Sequence, residues 1–149
     1  MTTLHSFFIV GISVDTNKKE DNPLHDITCL WNTFKTENII EQIPNKVDNT
    51  VYAVYTNYES DYTEGYTMVL GCKVDNLDAI PKDFTSVSIT EGNYKKYTAK
   101  GDLNNGIVVE EWKKIWNSDL KRKYSTDFEV YGEKAMNPSN AEVDIFIGI

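Results

Sequence analysis

The sequence predicts an α+β domain in which a single curved antiparallel sheet carries two helices. Short segments rich in β-branched and aromatic residues recur along the chain and predict strands. Two longer segments carry apolar residues at intervals of three and four positions, which predicts helices. The elements follow one another as β-α-β-β, a connector, and β-α-β-β. This repeated order predicts two duplicated units that pair into one sheet, with a groove between the two helices.

Length and composition indicate one folded domain. The 149 residues are 40% apolar and 12% aromatic, which is enough to bury a substantial core. We expect a single domain over residues 1–149, with a first repeat at about 4–75, a connector at 76–83 and a second repeat at about 84–149.

Charge and hydropathy argue against two classes of partner. Fifteen basic and 23 acidic residues give a net charge of −8, which opposes binding to the phosphate backbone of nucleic acids. No apolar run approaches the roughly 20 residues needed to span a bilayer. The first residues also lack the basic segment of a signal peptide. We therefore expect a cytoplasmic protein without direct nucleic-acid or membrane binding.

The first half of the chain predicts a strand, a helix and a hairpin. Residues 7–14 are apolar and β-branched and predict the first strand. Asp26 is the expected N-cap of the helix that follows Pro23, and a separate helical turn is expected at 37–43, before Pro44. The apolar stripe of the helix consists of Ile27, Leu30, Trp31 and Phe34. The hairpin strands are expected at 51–58 and 65–74, around a polar turn at 58–64.

The second half predicts four strands and one helix. The strands are expected at 84–89, 93–100, 126–131 and 143–149, and the helix at 104–120. Val108, Trp112, Ile115 and Trp116 share one face of this helix. Because four residues are slightly more than one turn, the two tryptophans do not point the same way. We expect one of them in the core and one on the groove wall, with Trp116 the better groove candidate.

Glu129 is the candidate functional residue because it lies among aromatic and branched neighbours in the segment TDFEVY. A carboxylate near several rings in a partly dry site is suited to an organic cation. The rings present negative faces, and the acid provides a charge that a poorly solvated cation satisfies. The residue pattern alone favours the alternative, a glutamate on the wet face of an alternating strand.

Known catalytic and metal-binding motifs are absent from the sequence. There is no glycine-rich phosphate loop, no HExxH, no CxxC and no nucleophile elbow. Cys29 and Cys72 are expected to be buried thiols in a reducing compartment. Together with only two histidines they form no recognisable zinc set. We therefore expect neither a metal nor a cofactor. The basic segment at 121–123 is expected to be a solvated turn.

Several short motifs in a fixed order resemble those of a known family. These are LWNTF in the first helix, VYAVYTNY and GYTMVLGCKV in the hairpin, and IW followed by TDFEVY near the end. The order resembles that of the GyrI-like small-molecule-binding domains, also known as the bacterial transcription activator effector-binding domain. The most similar type is the stand-alone, integron-associated one, and the resemblance covers residues 7–149.

The resemblance implies a duplicated fold with a ligand groove between the helices. It also implies a role for three residues in binding cationic, lipophilic compounds: Glu129 as the acid, Trp116 as the helix tryptophan and Tyr55 as the strand tyrosine. Position and chemistry add four further candidate ligand-binding residues, which are Trp112, Tyr131, Trp31 and Phe146. Many relatives carry a DNA-binding helix-turn-helix segment, for which this sequence has no room.

Three functions are open at this point. The favoured one is a stand-alone cytoplasmic protein that senses or sequesters amphipathic, lipophilic and often cationic small molecules. The second is a hydrolase of cyclopropane-containing toxins, as implied by some GyrI-like proteins, in which Glu129 would act as the general base. The third is a protein-interaction inhibitor of DNA gyrase, the activity that the family name reflects. An enzyme is the less favoured class.

Overall fold

Eight antiparallel strands form one curved sheet in the computed structural model, which describes residues 2–15, 23–56, 66–119, 121–122 and 126–149. The strands are β1 Thr2–Leu4, β2 Phe7–Asp15, β3 Val51–Thr56, β4 Thr67–Val74, β5 Thr85–Ile89, β6 Gly92–Gly101, β7 Thr126–Tyr131 and β8 Ala141–Gly148. The predicted α+β class and the single curved antiparallel sheet are confirmed. The polar turn predicted at 58–64 lies outside the described residues.

The strand order relates the two halves of the chain. It runs β1-β6-β8-β7-β3-β4-β2-β5. This order is symmetric: counted from the two edges of the sheet, equivalent positions are held by β1 and β5, β6 and β2, β8 and β4, and β7 and β3. Strands β1 and β5 each pair with the opposite half, β1 with β6 and β5 with β2. The sequence analysis missed β1, because three residues, two of them polar, give no strand signal. The central pair is β3 and β7, and it joins the halves.

Three helices lie within the described part of the chain. They are α1 Pro23–Thr36, α2 Ile39–Gln42 and α3 Ile107–Trp116. Helix α1 begins at Pro23, so Asp26 lies inside its first turn and the prediction that it is the N-cap is wrong. Helix α2 confirms the separate turn predicted at 37–43. Helix α3 is shorter than the predicted 104–120 at both ends. It begins at Ile107 because Gly106 adopts a left-handed conformation (φ 71°) between a 3-10 turn and the helix, and it ends at Trp116, after which Asn117 leaves the helical conformation (φ −90°, ψ 1°).

The two faces of the sheet carry separate apolar clusters. On one face, α1 packs Leu30 and Phe34 against the sheet beside Ala53. On the same face, α3 packs Ile115 against Ile145. The opposite face holds a second cluster that contains Ile9, Val54, Ile89 and Phe128. Side chains therefore alternate between a face covered by helices and a face without them, and the helix face is the one that carries the candidate acid.

The two cysteines differ in environment. Cys72 is buried in the cluster beneath α1, as expected, whereas Cys29 is exposed on α1, so the expectation of two buried thiols is wrong for Cys29. Neither forms a disulfide. Among the described residues, no helix has both the length and the apolar character needed to cross a membrane.

Two facing glycines allow β2 and β4 to approach closely. Gly11 lies opposite Gly71 in the antiparallel register. A Cβ atom at Gly71 would fall 2.1 Å from the carbonyl oxygen of Val10, and one at Gly11 would fall 1.9 Å from that of Leu70. Both obstacles are backbone atoms of the neighbouring strand, which cannot move without disturbing the sheet.

We predict that Gly71→Ala destabilises the protein by about 2 kcal/mol or more, because the added methyl group forces the two strands apart. Chemical denaturation monitored by circular dichroism measures this change. Gly132→Ala is the matched control, because its Cβ would meet Thr50 at an ordinary contact distance of 3.6 Å. Equal stability of the two variants would contradict the proposed strand contact.

Candidate functional site

Glu129 lies at the centre of the sheet. It sits on β7, between Ala53 of β3 and Ile145 of β8, and its side chain points to the helix face. Only 2% of the residue is exposed. The wet-face alternative is therefore wrong for this residue. The acid is enclosed by protein.

Three aromatic side chains donate hydrogen bonds to the Glu129 carboxylate. The Tyr131 hydroxyl donates to Oε1 at 2.6 Å. The Trp112 indole Nε1 donates to Oε2 at 2.6 Å, and the Tyr55 hydroxyl donates to the same oxygen at 3.1 Å. Such donors compensate for much of the cost of removing an acid from water. The three rings thus take the place of solvent around the carboxylate.

Burial and hydrogen bonding act in opposite directions on the acid. Burial raises the pKa of Glu129, and the bonds from Tyr131, Trp112 and Tyr55 lower it in part, so the net direction is upward. Burial, together with the nearby charge of Glu129, also raises the pKa values of Tyr55 and Tyr131 well above their ordinary value. Both phenols therefore remain protonated donors at neutral pH.

The rings around the carboxylate form two walls. On the α3 side, the Tyr55 ring lies 5.6 Å from that of Trp112, and Trp116 lies 6.2 Å from Trp112. On the α1 side, the Trp31 ring meets Tyr131 edge-on at 5.0 Å. Trp112 is buried, whereas Trp116 is 42% exposed. Trp112 is the core tryptophan of the predicted pair and touches the acid. Trp116, the predicted groove-wall residue, is exposed and is not among the residues that line the groove described next.

An open groove of about 1100 Å³ adjoins the α1 wall. Trp31 and Tyr131 line it, and Glu129 lies behind them and does not line it. Lys35 also lines it, and its Nζ atom lies over the Trp31 ring, 5.9 Å from the ring centre. The remaining lining residues are Asp48, Asn49, Thr50, Val51, Leu103, Val130, Gly132, Glu133, Lys134, Ala135, Met136, Pro138, Glu142 and Asp144. The groove volume is large enough for a drug-sized molecule.

Phe146 is the one predicted site residue that the structure separates from the others. It stacks on Phe128 at 4.9 Å, on the face of the sheet opposite Glu129. Alternation along β8 places Ile145 on the helix face and Phe146 on the other. Its assignment to the groove is therefore wrong. Of the other predicted residues, Tyr55, Trp112 and Tyr131 bond to the Glu129 carboxylate. Trp31 and Trp116 contact the rings of these three residues. Trp31 and Tyr131 line the groove.

The sequence analysis missed a buried ion pair beside the site. Arg122 Nη2 lies 2.6 Å from Asp127 Oδ2, with side chains 3% and 0% exposed. The solvated turn predicted at 121–123 is wrong for Arg122, while Lys121 is exposed and the third residue lies outside the described part of the chain. The two-residue period of β7 does place Asp127 and Glu129 on one face, which was the available signal.

The described residues hold no group of three or more His, Cys, Asp or Glu side chains that could hold a metal ion.

The fold and the site together define a two-fold α+β domain with a ring-enclosed carboxylate where its halves meet. The chain belongs to the family of integron-associated effector binding proteins, Cass2, whose sequence model matches residues 1–149. This membership confirms the resemblance found in the sequence.

Individual relatives agree with the family assignment. A Bacillus subtilis (strain 168) protein, YobU, described as a candidate transcriptional regulator, is 28% identical over 143 residues, which cover 93% of this chain and 89% of that protein. An integron cassette protein of Vibrio cholerae has 29% identity and a TM-score of 0.73, with coverage of 99% of this chain and 92% of that one.

A more distant solved structure shares the fold. SAV2435, in a structure described as bound to tetraphenylphosphonium, superposes with a TM-score of 0.74 at 15% identity, with coverage of 98% of this chain and 90% of that one.

We predict that Glu129→Gln removes a pH-dependent loss of stability. Because the pKa of Glu129 is raised above its ordinary value of 4.5, the folded protein keeps a proton that the unfolded chain releases. The wild type should therefore lose stability, relative to the variant, as pH rises from about 4.5 through the raised pKa. The Gln amide retains partners, since its oxygen accepts from Trp112 and Tyr55 and its nitrogen donates to the Tyr131 hydroxyl.

Urea denaturation at a series of pH values measures this difference. Glu110→Gln is the control, because Glu110 is exposed on α3 and its replacement removes one negative charge without touching the site. Between about pH 4.5 and neutral pH, the difference in stability should shift in favour of Glu129→Gln. Parallel curves for the wild type and Glu129→Gln would contradict the raised pKa.

Proposed function

We propose that the protein binds amphipathic, lipophilic, often cationic small molecules, and that it acts in the cytoplasm by sensing or sequestering them. The observation that carries this proposal is the buried Glu129 carboxylate with three aromatic donors. A negative charge behind rings is the arrangement that favours an organic cation over a neutral compound of the same shape.

The groove gives the ligand its position in this proposal. Its walls include the rings of Trp31 and Tyr131, and Tyr131 separates it from the carboxylate. The lipophilic part of the ligand lies in the groove, and its positive charge rests against the two rings, where it replaces the Lys35 ammonium over Trp31. The Glu129 charge acts from directly behind them, where low solvent access strengthens the attraction. Exposed Met136 contributes a flexible apolar surface that adapts to different ligands.

The relatives support the proposal without deciding the ligand. The family is one of effector binding proteins, and a structure with the same fold is described as bound to tetraphenylphosphonium, an organic cation. Tetraphenylphosphonium is therefore the natural first probe for this chain.

The geometry supports binding better than hydrolysis. A general base needs an oxygen within reach of a water molecule or a substrate proton. Here Oε1 and Oε2 of Glu129 already accept hydrogen bonds from protein donors. Both oxygens are thus engaged by the protein, which suits a fixed counter-charge better than a general base.

We predict that Glu129→Gln weakens tetraphenylphosphonium binding by on the order of 10-fold or more, because it removes the counter-charge while keeping the shape of the site. Isothermal titration calorimetry measures the affinity. A neutral aromatic compound of similar size, such as tetraphenylmethane carrying a solubilising group, should bind the two proteins alike. Equal losses for the cation and the neutral compound would remove Glu129 as the charge that selects the ligand.

The pH profile of the wild type is the companion measurement. Tetraphenylphosphonium does not titrate, so its affinity should rise with pH as Glu129 ionises and should level off above the raised pKa. The Gln variant should show a flat profile over the same range. A flat profile in the wild type would mean that the acid does not contribute to cation binding.

A pair of tryptophan variants tests from which side the ligand enters. Trp31 lines the groove, whereas Trp116 lies beyond Trp112 on the α3 side. We predict that Trp31→Leu weakens cation binding roughly threefold to tenfold, the loss expected for one ring face, and that Trp116→Leu has the smaller effect. Fluorescence titration with the same cation compares the two. A larger loss at Trp116 would place the ligand on the α3 side.

A further inference from the structure

The buried ion pair beside the site continues into the site itself. Asp127 is held in place from two directions, since Oδ2 accepts from Arg122 and Oδ1 accepts the backbone N–H of Gly148 at 2.9 Å. The guanidinium carbon of Arg122 lies 5.8 Å from the centre of the Trp112 ring. Trp112 in turn donates to Glu129. A continuous set of contacts thus connects the end of β8 to the carboxylate.

The ion pair between Arg122 and Asp127 is not explained by a contribution to the stability of the fold alone. Two charges that are almost fully buried lose their hydration, and their mutual attraction often does no more than offset that loss. A planar guanidinium held by a fixed carboxylate is, however, a rigid surface on which an indole ring packs. The ion pair therefore has a geometric consequence that an apolar pair of similar size would not provide.

We propose that Arg122 is a positioning residue for the carboxylate site: held by Asp127, it packs on one face of the Trp112 indole and directs the indole N–H at Glu129 Oε2. Through that hydrogen bond, Arg122 also affects how strongly the carboxylate attracts a ligand cation. The effect on ligand selection rests on the function proposed above, whereas the effect on the Trp112–Glu129 hydrogen bond does not.

The charged and titratable groups around Glu129 define what a pH measurement reports. The titratable or charged ones are Tyr55 on β3, Tyr131 and Asp127 on β7, Arg122 before β7, and Lys35 beside Trp31 on α1. The neighbours from α3 and β8 are Trp112 and Ile145, which do not titrate. Both tyrosines stay protonated near neutral pH. Arg122 and Asp127 carry opposite charges, so removing both leaves the local net charge unchanged.

The double variant Arg122→Met with Asp127→Asn tests the proposal without leaving a lone buried charge. The indole N–H signal of Trp112 in 15N-edited NMR spectra of the ligand-free protein is the readout, and Trp112→Phe assigns it among the three tryptophans. In the wild type this signal should move with pH as Glu129 ionises. In the double variant the movement should shrink, and its midpoint should lie at higher pH, because a donor that lowers the pKa of Glu129 is less well placed.

A structural role would give a different result. If Arg122 only stabilises the fold, the folded double variant should show the wild-type movement and midpoint, and this outcome overturns the proposal. Arg122→Lys supplies a second test, because it keeps the charge but lacks the planar group. We expect it to show the same upward shift of the midpoint. Wild-type behaviour of Arg122→Lys would show that the charge, and not packing on the indole, determines the hydrogen bond.

Binding of tetraphenylphosphonium forms the second arm of the experiment. At the pH of the wild-type NMR midpoint, the double variant should bind roughly threefold to tenfold more weakly, the effect of weakening one hydrogen bond to a charged group, and it should regain affinity at higher pH. Absence of binding by the wild type would refute the proposed function, and the NMR arm would still decide the role of Arg122. Normal wild-type binding with an unchanged pH profile in the double variant would refute only the role of Arg122.

Discussion

A carboxyl group in the middle of a sheet has to be solvated by the protein, and this requirement organises the structure around Glu129. Water does not reach the group, since 2% of the residue is exposed, and a buried acid without partners would be strongly destabilising. The three donors that replace water all belong to aromatic side chains, Tyr55, Trp112 and Tyr131. Because each donor brings a ring with it, the groups that satisfy the acid also build the apolar walls around it. The same three side chains therefore both solvate the carboxylate and form the walls around it.

This shell exists only because both halves of the chain contribute to it. Tyr55 comes from β3 in the first half, whereas Tyr131 and Trp112 come from β7 and α3 in the second. The antiparallel pairing of β3 with β7 sets Tyr55 opposite Asp127 and Ala53 opposite Glu129. The small side chain of Ala53 leaves space next to the acid for the rings on either side. The duplicated architecture thus positions the site by its central strand pair, and the two helices enclose it.

The sequence allowed the elements to be predicted better than the contacts between them. Periodicity located β7 at its observed bounds and the stripe of α1, because each depends on neighbours within a few residues. The choice between Trp112 and Trp116 was harder, since helical spacing places both near one face and only the packing of α3 on the sheet decides which reaches Glu129. Arg122 was missed for a related reason. An arginine between lysines looks solvated until tertiary structure brings Asp127 against it.

The completeness of the shell bears on the kind of ligand that the proposed function implies. Both oxygens of Glu129 already accept hydrogen bonds, so a ligand gains little by offering a further donor. What remains available to the ligand is the charge, which acts through the intervening Tyr131 ring, and the faces of the rings that line the groove. A site of this kind selects for positive charge and apolar shape and sets few demands on hydrogen-bonding geometry. Cations with no N–H or O–H groups offer positive charge and apolar surface without the cost of desolvating unused donors. Compounds of varied shape can offer the same two features.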